Sequence, residues 1–339
     1  MRDFKVTLRL DTPLLLGGAV SGEPDPLHWV RGASVKGLLH TFTRALIGPA
    51  VGGSIAAVRP HEMRLLGEAA VKDSNPPTFR VESIPDTSLI PVEVCTLPHK
   101  HQGSRMGFAT RQTVTLTFKP YPWVFDKWND DLFRKTLWSV IWTAFSLGAL
   151  GLRSRRGYGS LTIQAVEGLP EGNWGFPILA DPPKTDVELA CHLTTGLKSA
   201  QDAMNAWIGP SAPPIVDYNS DDLFFQVRAD RVRVGSVTNG SYEPLMIDLM
   251  NACSDAKSKD RDAFYDGIGK SDRLASPLWV RFYEMRKGHY APVFTYSPRT
   301  ESADYLADGI RNALGAGCDP GKGIDRRITS LCGGGGTNV

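Results

Sequence analysis

The sequence predicts an α+β protein built from two halves, the first of them a βαββαβ unit. Three observations lead there. Polar and apolar residues alternate with period two at 4–10, 113–118 and 160–166. Apolar residues recur at helical spacing from Ser34 and again from Asp131. A further short strand at Phe79–Ile84 completes the order strand, helix, strand, strand, helix, strand. That order is the split-βαβ, ferredoxin-like arrangement, which RNA-recognition (RRM-like) modules share.

The elements follow in turn. Phe4 to Leu10 reads as a half-buried strand ended by Thr12-Pro13, and Gly17-Gly18 opens a loop reaching Gly32. Ser34 is the expected N-cap of the first helix, where Val35, Leu38, Leu39, Phe42, Ala45 and Leu46 form an apolar stripe. Lys36, His40 and Arg44, four apart, form a basic stripe on another face. A short helical piece is expected at Glu62–Ala70, and residues 95–110 read as a mobile loop or hairpin tip. The second helix, Asp131–Leu147, points Leu137, Val140, Ile141, Ala144 and Phe145 at a core. A strand at Ser160–Val166 closes the first domain, 1–167. Gly, Pro and Asp make 168–186 a linker. A second α+β domain, 187–330, follows, with helices at 186–207, 241–257 and 301–314 and strands at 222–234, 277–285 and 291–296. The glycine-ended tail 331–339 is expected to be flexible.

Composition narrows the class. The chain has 339 residues, 42% hydrophobic and 22% charged, as in soluble globular proteins of two domains. No apolar run approaches the roughly 20 residues that span a bilayer, and the N-terminus has no signal-peptide core, so a cytoplasmic protein is expected. The five cysteines show no C-x-x-C pairing, which argues for inert thiols rather than a metal site or disulfides. A net charge of +2 does not announce a nucleic-acid partner, but three arginines lie within Arg153–Arg156.

Two segments carry chemistry. In Arg31-Gly-Ala-Ser-Val-Lys-Gly37, Gly32 and Gly37 allow close backbone approach, and a helix start near Ser34 attracts phosphate beside Arg31 and Lys36. In Leu150-Gly-Leu-Arg-Ser-Arg-Arg-Gly-Tyr-Gly-Ser160, a glycine-rich basic loop runs from helix to strand. Arg153, Arg155 and Arg156 suit phosphate, Ser154 and Ser160 add hydroxyls, and Gly157 and Gly159 flank Tyr158, whose ring is expected to stack on a base. Gly267-Ile-Gly-Lys-Ser271 resembles the end of a phosphate loop, but Phe264 stands where that motif requires glycine. No cofactor and no metal are expected.

Taken together, Thr12-Pro13, Gly17-Gly18, Gly22-Glu-Pro-Asp-Pro26, Arg31–Gly37 and Leu150–Ser160 resemble the RAMP superfamily of CRISPR proteins. Within it they are most similar to the first RAMP subunit of the type III-B Cmr effector complex. Glu62–Gly67 and Arg273–Leu278 are weaker matches. The resemblance implies tandem ferredoxin-like domains, contact with CRISPR guide RNA or the guide–target duplex, other Cmr subunits as partners, and no cutting activity. The chain departs from the family at His40-Thr-Phe-Thr-Arg44, where an Arg-Phe-Trp-Trp-Arg-like stretch is usual.

The sequence therefore points to a non-catalytic RNA-binding subunit. Its expected surface comprises Arg31, Gly32, Ser34, Lys36, Gly37, His40, Arg44 and the loop from Arg153 through Ser160, with His99, Lys100, His101 and Arg105 as a thumb. Two other readings stay open. An endoribonuclease would use Asp25, or one of His28, His40 and His61; a structural adaptor would dock the basic loop on an acidic protein surface.

Overall fold

A computed structural model describes residues 3–17, 30–51, 54–67, 76–85, 90–97, 102–128, 130–169, 174–178, 183–209, 227, 232–235, 237–259 and 278–296. The expectations for Gly22–Pro26, Asp25, His28, His99 to His101, Gly267–Ser271, the helix at 301–314 and the tail fall outside those residues.

Among the described residues, ten strands and six α-helices follow one another along the chain. The first group is β1 (Phe4–Leu10), α1 (Gly32–Val51), α2 (Ile55–Leu66), β2 (Phe79–Pro85), β3 (Pro91–Leu97), β4 (Gln102–Phe108), β5 (Thr113–Pro120), α3 (Phe125–Trp128), α4 (Asp131–Leu147) and β6 (Leu161–Glu167). The second group is α5 (Asp186–Ile208), β7 (Val232–Val234), β8 (Thr238–Asn239), α6 (Tyr242–Lys259), β9 (Leu278–Arg286) and β10 (His289–Tyr296).

The first sheet is antiparallel with the order β2-β5-β1-β6. Alternation dictates its faces: Phe4, Val6, Leu8 and Leu10 are buried, and Val114, Leu116 and Phe118 join them from β5. α1 lies against α4 and β2, and α4 against β6. β10 is the middle of a second antiparallel sheet, pairing with β9 as well as with β7 and β8.

Two local expectations change, and one pair of alternatives resolves. α1 begins at Gly32, because Ser34 and Val35 already donate their amides to the Arg31 carbonyl, so Ser34 is not the N-cap. α2 starts at Ile55 under a Ser54 cap and ends at Leu66, where the sequence placed a helical piece at Glu62–Ala70. Of the two alternatives for residues 95–110, a mobile loop or a hairpin tip, the structure shows the hairpin: β3 and β4 pair and are fixed to the body by a bridge between Leu14 and Phe108.

α4 is buried far beyond one stripe. α5 covers its second face, and Trp138 and Trp142 disappear from solvent. Gly196 permits that contact, since a Cβ there would sit 2.1 Å from the Trp142 ring. The described part of the expected linker is seated too: Phe176 packs on both tryptophans, and Trp142 Nε1 donates to Pro177 O at 2.8 Å. The main core cluster runs from Phe4 to Val293 through both halves.

Candidate nucleic-acid interface

The glycine–arginine loop is a short, fixed turn. Ala149 and Ser160 bridge its two ends, and Arg153 takes a left-handed conformation (φ 59°) that starts a 3-10 turn over Ser154–Arg156. Thr12 holds the far side, its hydroxyl donating to Gly157 O at 2.6 Å and accepting from Ser160 N at 3.0 Å. Gly157 (φ 89°) faces β9, where a Cβ would lie 2.1 Å from the Phe282 ring. Ser160 is buried, and its hydroxyl accepts from Phe282 N. Gly157 thus serves close packing of the loop on the second sheet, while Gly151 and Gly159 pack on the Leu14–Leu15 strip and Leu150.

Tyr158 corrects the expected stacking role. Its ring is only 2% exposed, it lies in a second core cluster with Leu15, Val94, Met246 and Phe282, and its hydroxyl donates to Cys95 O at 2.6 Å. Burial raises its phenol to about 12. A ring so enclosed has no face for a base. The buried Gly157, Gly159 and Ser160 likewise shape the turn from within.

The three arginines diverge. Arg155 turns inward, its guanidinium 4.7 Å from the centre of the Trp279 ring. Arg153 is pulled below the ordinary guanidinium value, first by burial, against Tyr158 and with the charges of Arg156 and Arg105. Arg105 is the exposed residue of β4 that the sequence placed in a thumb. A concentration of positive charge therefore forms where the turn meets the hairpin.

This cluster connects to the start of α1. Leu152 N donates to Leu15 O at 2.7 Å, and two residues further on Gly17 O accepts from Arg31 Nη2 at 2.9 Å. Arg31, Ser34 and Gly37 stay open to solvent in whole or part, while Gly32 is held to β2, a Cβ there meeting Val81 O at 2.5 Å. Lys36 lies over the Phe79 and Tyr121 rings at 5.6 and 6.0 Å, and burial lowers its ammonium.

His40 and Arg44 belong to a separate site. Both bind Glu62 of α2: His40 Nδ1 is 2.7 Å from Oε1, and Arg44 Nε donates to both oxygens at 2.8 and 2.9 Å. Burial pushes the Glu62 carboxyl up, but these bonds and charges outweigh it and hold the group below its usual range. A cleft of about 310 Å³ opens beside them, lined also by Ile55, Val58, Arg59 and Met63. The four-residue spacing found the basic stripe, but nothing local to it pointed to its acidic partner on α2.

Among the described residues no cluster of His, Cys, Asp or Glu could hold a metal, and no helix is long and apolar enough to cross a membrane.

Residues 7–162 match the family model described as the RAMP superfamily. No curated protein matches the chain in sequence. The fold is similar to the crystal structure of apo Cmr1 from Pyrococcus furiosus, with a TM-score of 0.59 and 15% identity over 93% of this chain and 97% of that one. A chain of the type III-B Cmr-beta cryo-EM structure with cognate target RNA and AMPPnP, in the presence of ssDNA, has a TM-score of 0.59 and 12% identity, covering 92% and 99%. For Cmr-beta bound to cognate target RNA the values are 0.57, 12%, 92% and 99%.

Proposed function

From the match of residues 7–162 to the RAMP superfamily model, we propose that the protein is a member of that superfamily and a non-cutting, RNA-binding subunit of a type III-B CRISPR effector complex. The likeness to Cmr1 and to chains of target-bound Cmr-beta supports the place in such a complex. Guide RNA, target RNA and neighbouring Cmr subunits are the partners this reading names, and the cytoplasm is the compartment. It also takes the two halves as tandem ferredoxin-like units, which the β2-β5-β1-β6 order supports for the first.

One observation carries the RNA assignment. Arg153, Arg156 and Arg105 gather on a turn and a hairpin that are both tied to the core, and the Leu15–Gly17 strip joins them to Arg31. Guanidinium groups held this way neutralise phosphates and give affinity without reading bases. Sequence selection is then left to pairing between guide and target.

A cutting enzyme is the second reading, favoured by the His40–Glu62 contact, which orients an imidazole beside a cleft. Labelled single-stranded RNA decides between them. Wild type and an Arg105→Ala/Arg153→Ala/Arg156→Ala variant are compared with and without divalent metal, for binding and for cleavage. The non-cutting reading expects intact RNA, affinity lost in the variant, and a salt slope reduced by about 2 on a log–log plot. Cleavage abolished by His40→Ala or Asp25→Ala would replace it with the nuclease. Equal failure of both proteins to bind would leave a structural adaptor.

A further inference from the structure

The charged strip does not end at Lys36. Beyond it, where the chain leaves β5, Tyr121 and Trp123 stack in parallel, with ring centroids 4.6 Å apart and planes 6° from one another. Trp123 is 56% exposed, the largest side chain left so open among the described residues. It is not loose. Its Nε1 donates to Pro77 O at 3.1 Å, the Tyr121 amide donates to Thr78 O at 3.2 Å, and Val124 N closes the turn on Tyr121 O. The ammonium of Lys36 lies 6.0 Å from the Tyr121 ring centre.

We infer that Trp123, backed by Tyr121 and flanked by Lys36, is a stacking platform for a base of single-stranded RNA. The inference rests on the RNA-binding reading above and extends it to a site that reads no arginine. A ring fixed in orientation before binding loses little side-chain freedom on binding, so stacking yields more of its full value. Every base offers a π-face, which makes such a platform tolerant of sequence. Lys36 supplies a cation for the adjoining phosphate, and its partial burial keeps that charge poorly hydrated.

Position favours RNA over a protein as the occupant. Lys36 follows Arg31 by five residues of α1, about 7.5 Å along the helix axis. A chain of nucleotides running from Arg153 past Arg31 would therefore reach Trp123 without leaving the basic strip. Trp123 stacks on Tyr121, and the Lys36 ammonium lies on that same tyrosine, so the aromatic pair sits at the end of the basic strip.

The test uses the full chain and fluorescein-labelled single-stranded RNA at fixed salt, with Trp123→Ala, Trp123→Phe and the triple arginine variant in parallel. Trp123→Ala is expected to weaken binding by roughly 5- to 150-fold, the span of single-base stacking. Trp123→Phe should recover most of that loss, which a general folding defect would not allow. RNA carrying 4-thiouridine should crosslink to the peptide containing Trp123. Wild-type affinity in Trp123→Ala, with affinity lost in the arginine variant, would discard the platform and leave the basic turn standing. Unchanged RNA affinity together with lost assembly with purified Cmr subunits would make Trp123 a protein contact. No RNA binding by wild type would remove both proposals at once.

Discussion

Gly157 and Tyr158 decide how the basic turn is held. Gly157 needs a positive φ and has the Phe282 ring where a side chain would stand; Tyr158 fills the space between that turn, the hairpin and β9. Both serve the rigidity that keeps Arg153 and Arg156 in place. Tyr158→Phe should therefore cost about 1 kcal/mol, the net value of its bond to Cys95 O, and leave RNA affinity unchanged. Gly157→Ala should cost more, about 1–3 kcal/mol from backbone strain alone. Urea denaturation alongside RNA titration checks both, and a normally stable Tyr158→Phe with weakened RNA binding would return the ring to the RNA surface. The sequence shows that four glycines among arginines need a reason. It does not show that for Gly157 the reason is a strand more than 120 residues further along, because no local pattern contains that partner.

Elements gain their meaning from what they face. The period of α1 predicted its buried stripe correctly, from Val35 through Leu46, because that stripe meets the sheet the same chain segment builds. The basic stripe was visible too, but α2 decides its fate: Glu62 takes His40 and Arg44 away from the strip that Arg31 and Lys36 share with the turn. Glu62→Gln should destabilise the protein by about 1.5–3 kcal/mol, toward the low end because Arg44 remains nearly half exposed. The pH dependence has a definite sign. A carboxyl held below its ordinary value stabilises the fold above about pH 4.3, and that contribution disappears as pH falls through the lowered value. Urea midpoints of wild type and Glu62→Gln should differ clearly at pH 7 and converge in acid. A gap that persists in acid strong enough to protonate Glu62 would mean that it acts through shape rather than charge.

At the scale of the molecule, the two halves are welded by buried polar contacts as well as by one apolar core. Arg281 of β9 is fully buried; its Nη2 donates to Leu161 O and Thr162 Oγ1, each at 3.1 Å, and lies 3.5 Å from Asp11, while Nη1 bonds the Phe145 carbonyl. Arg9 joins Asp11 at 2.8 Å and reaches Glu284 O, and Arg111 pairs with the Glu284 carboxylate. Composition suggested a linker between independent domains, and Gly, Pro and Asp do dominate 168–186. Apolar residues within it, above all Phe176, anchor it to α4, a distinction that composition averages away. A core and an ion network shared in this way leave neither sheet able to unfold alone, so equilibrium denaturation should follow one transition. Arg281→Ala should lower stability by about 3–5 kcal/mol, since it leaves Asp11 buried with Arg9 as its one remaining charged partner. Far-UV circular dichroism and tryptophan fluorescence should report the same midpoint in both proteins. Two separated transitions in wild type would show that the halves are autonomous, and the basic turn would then owe its rigidity to the first sheet alone.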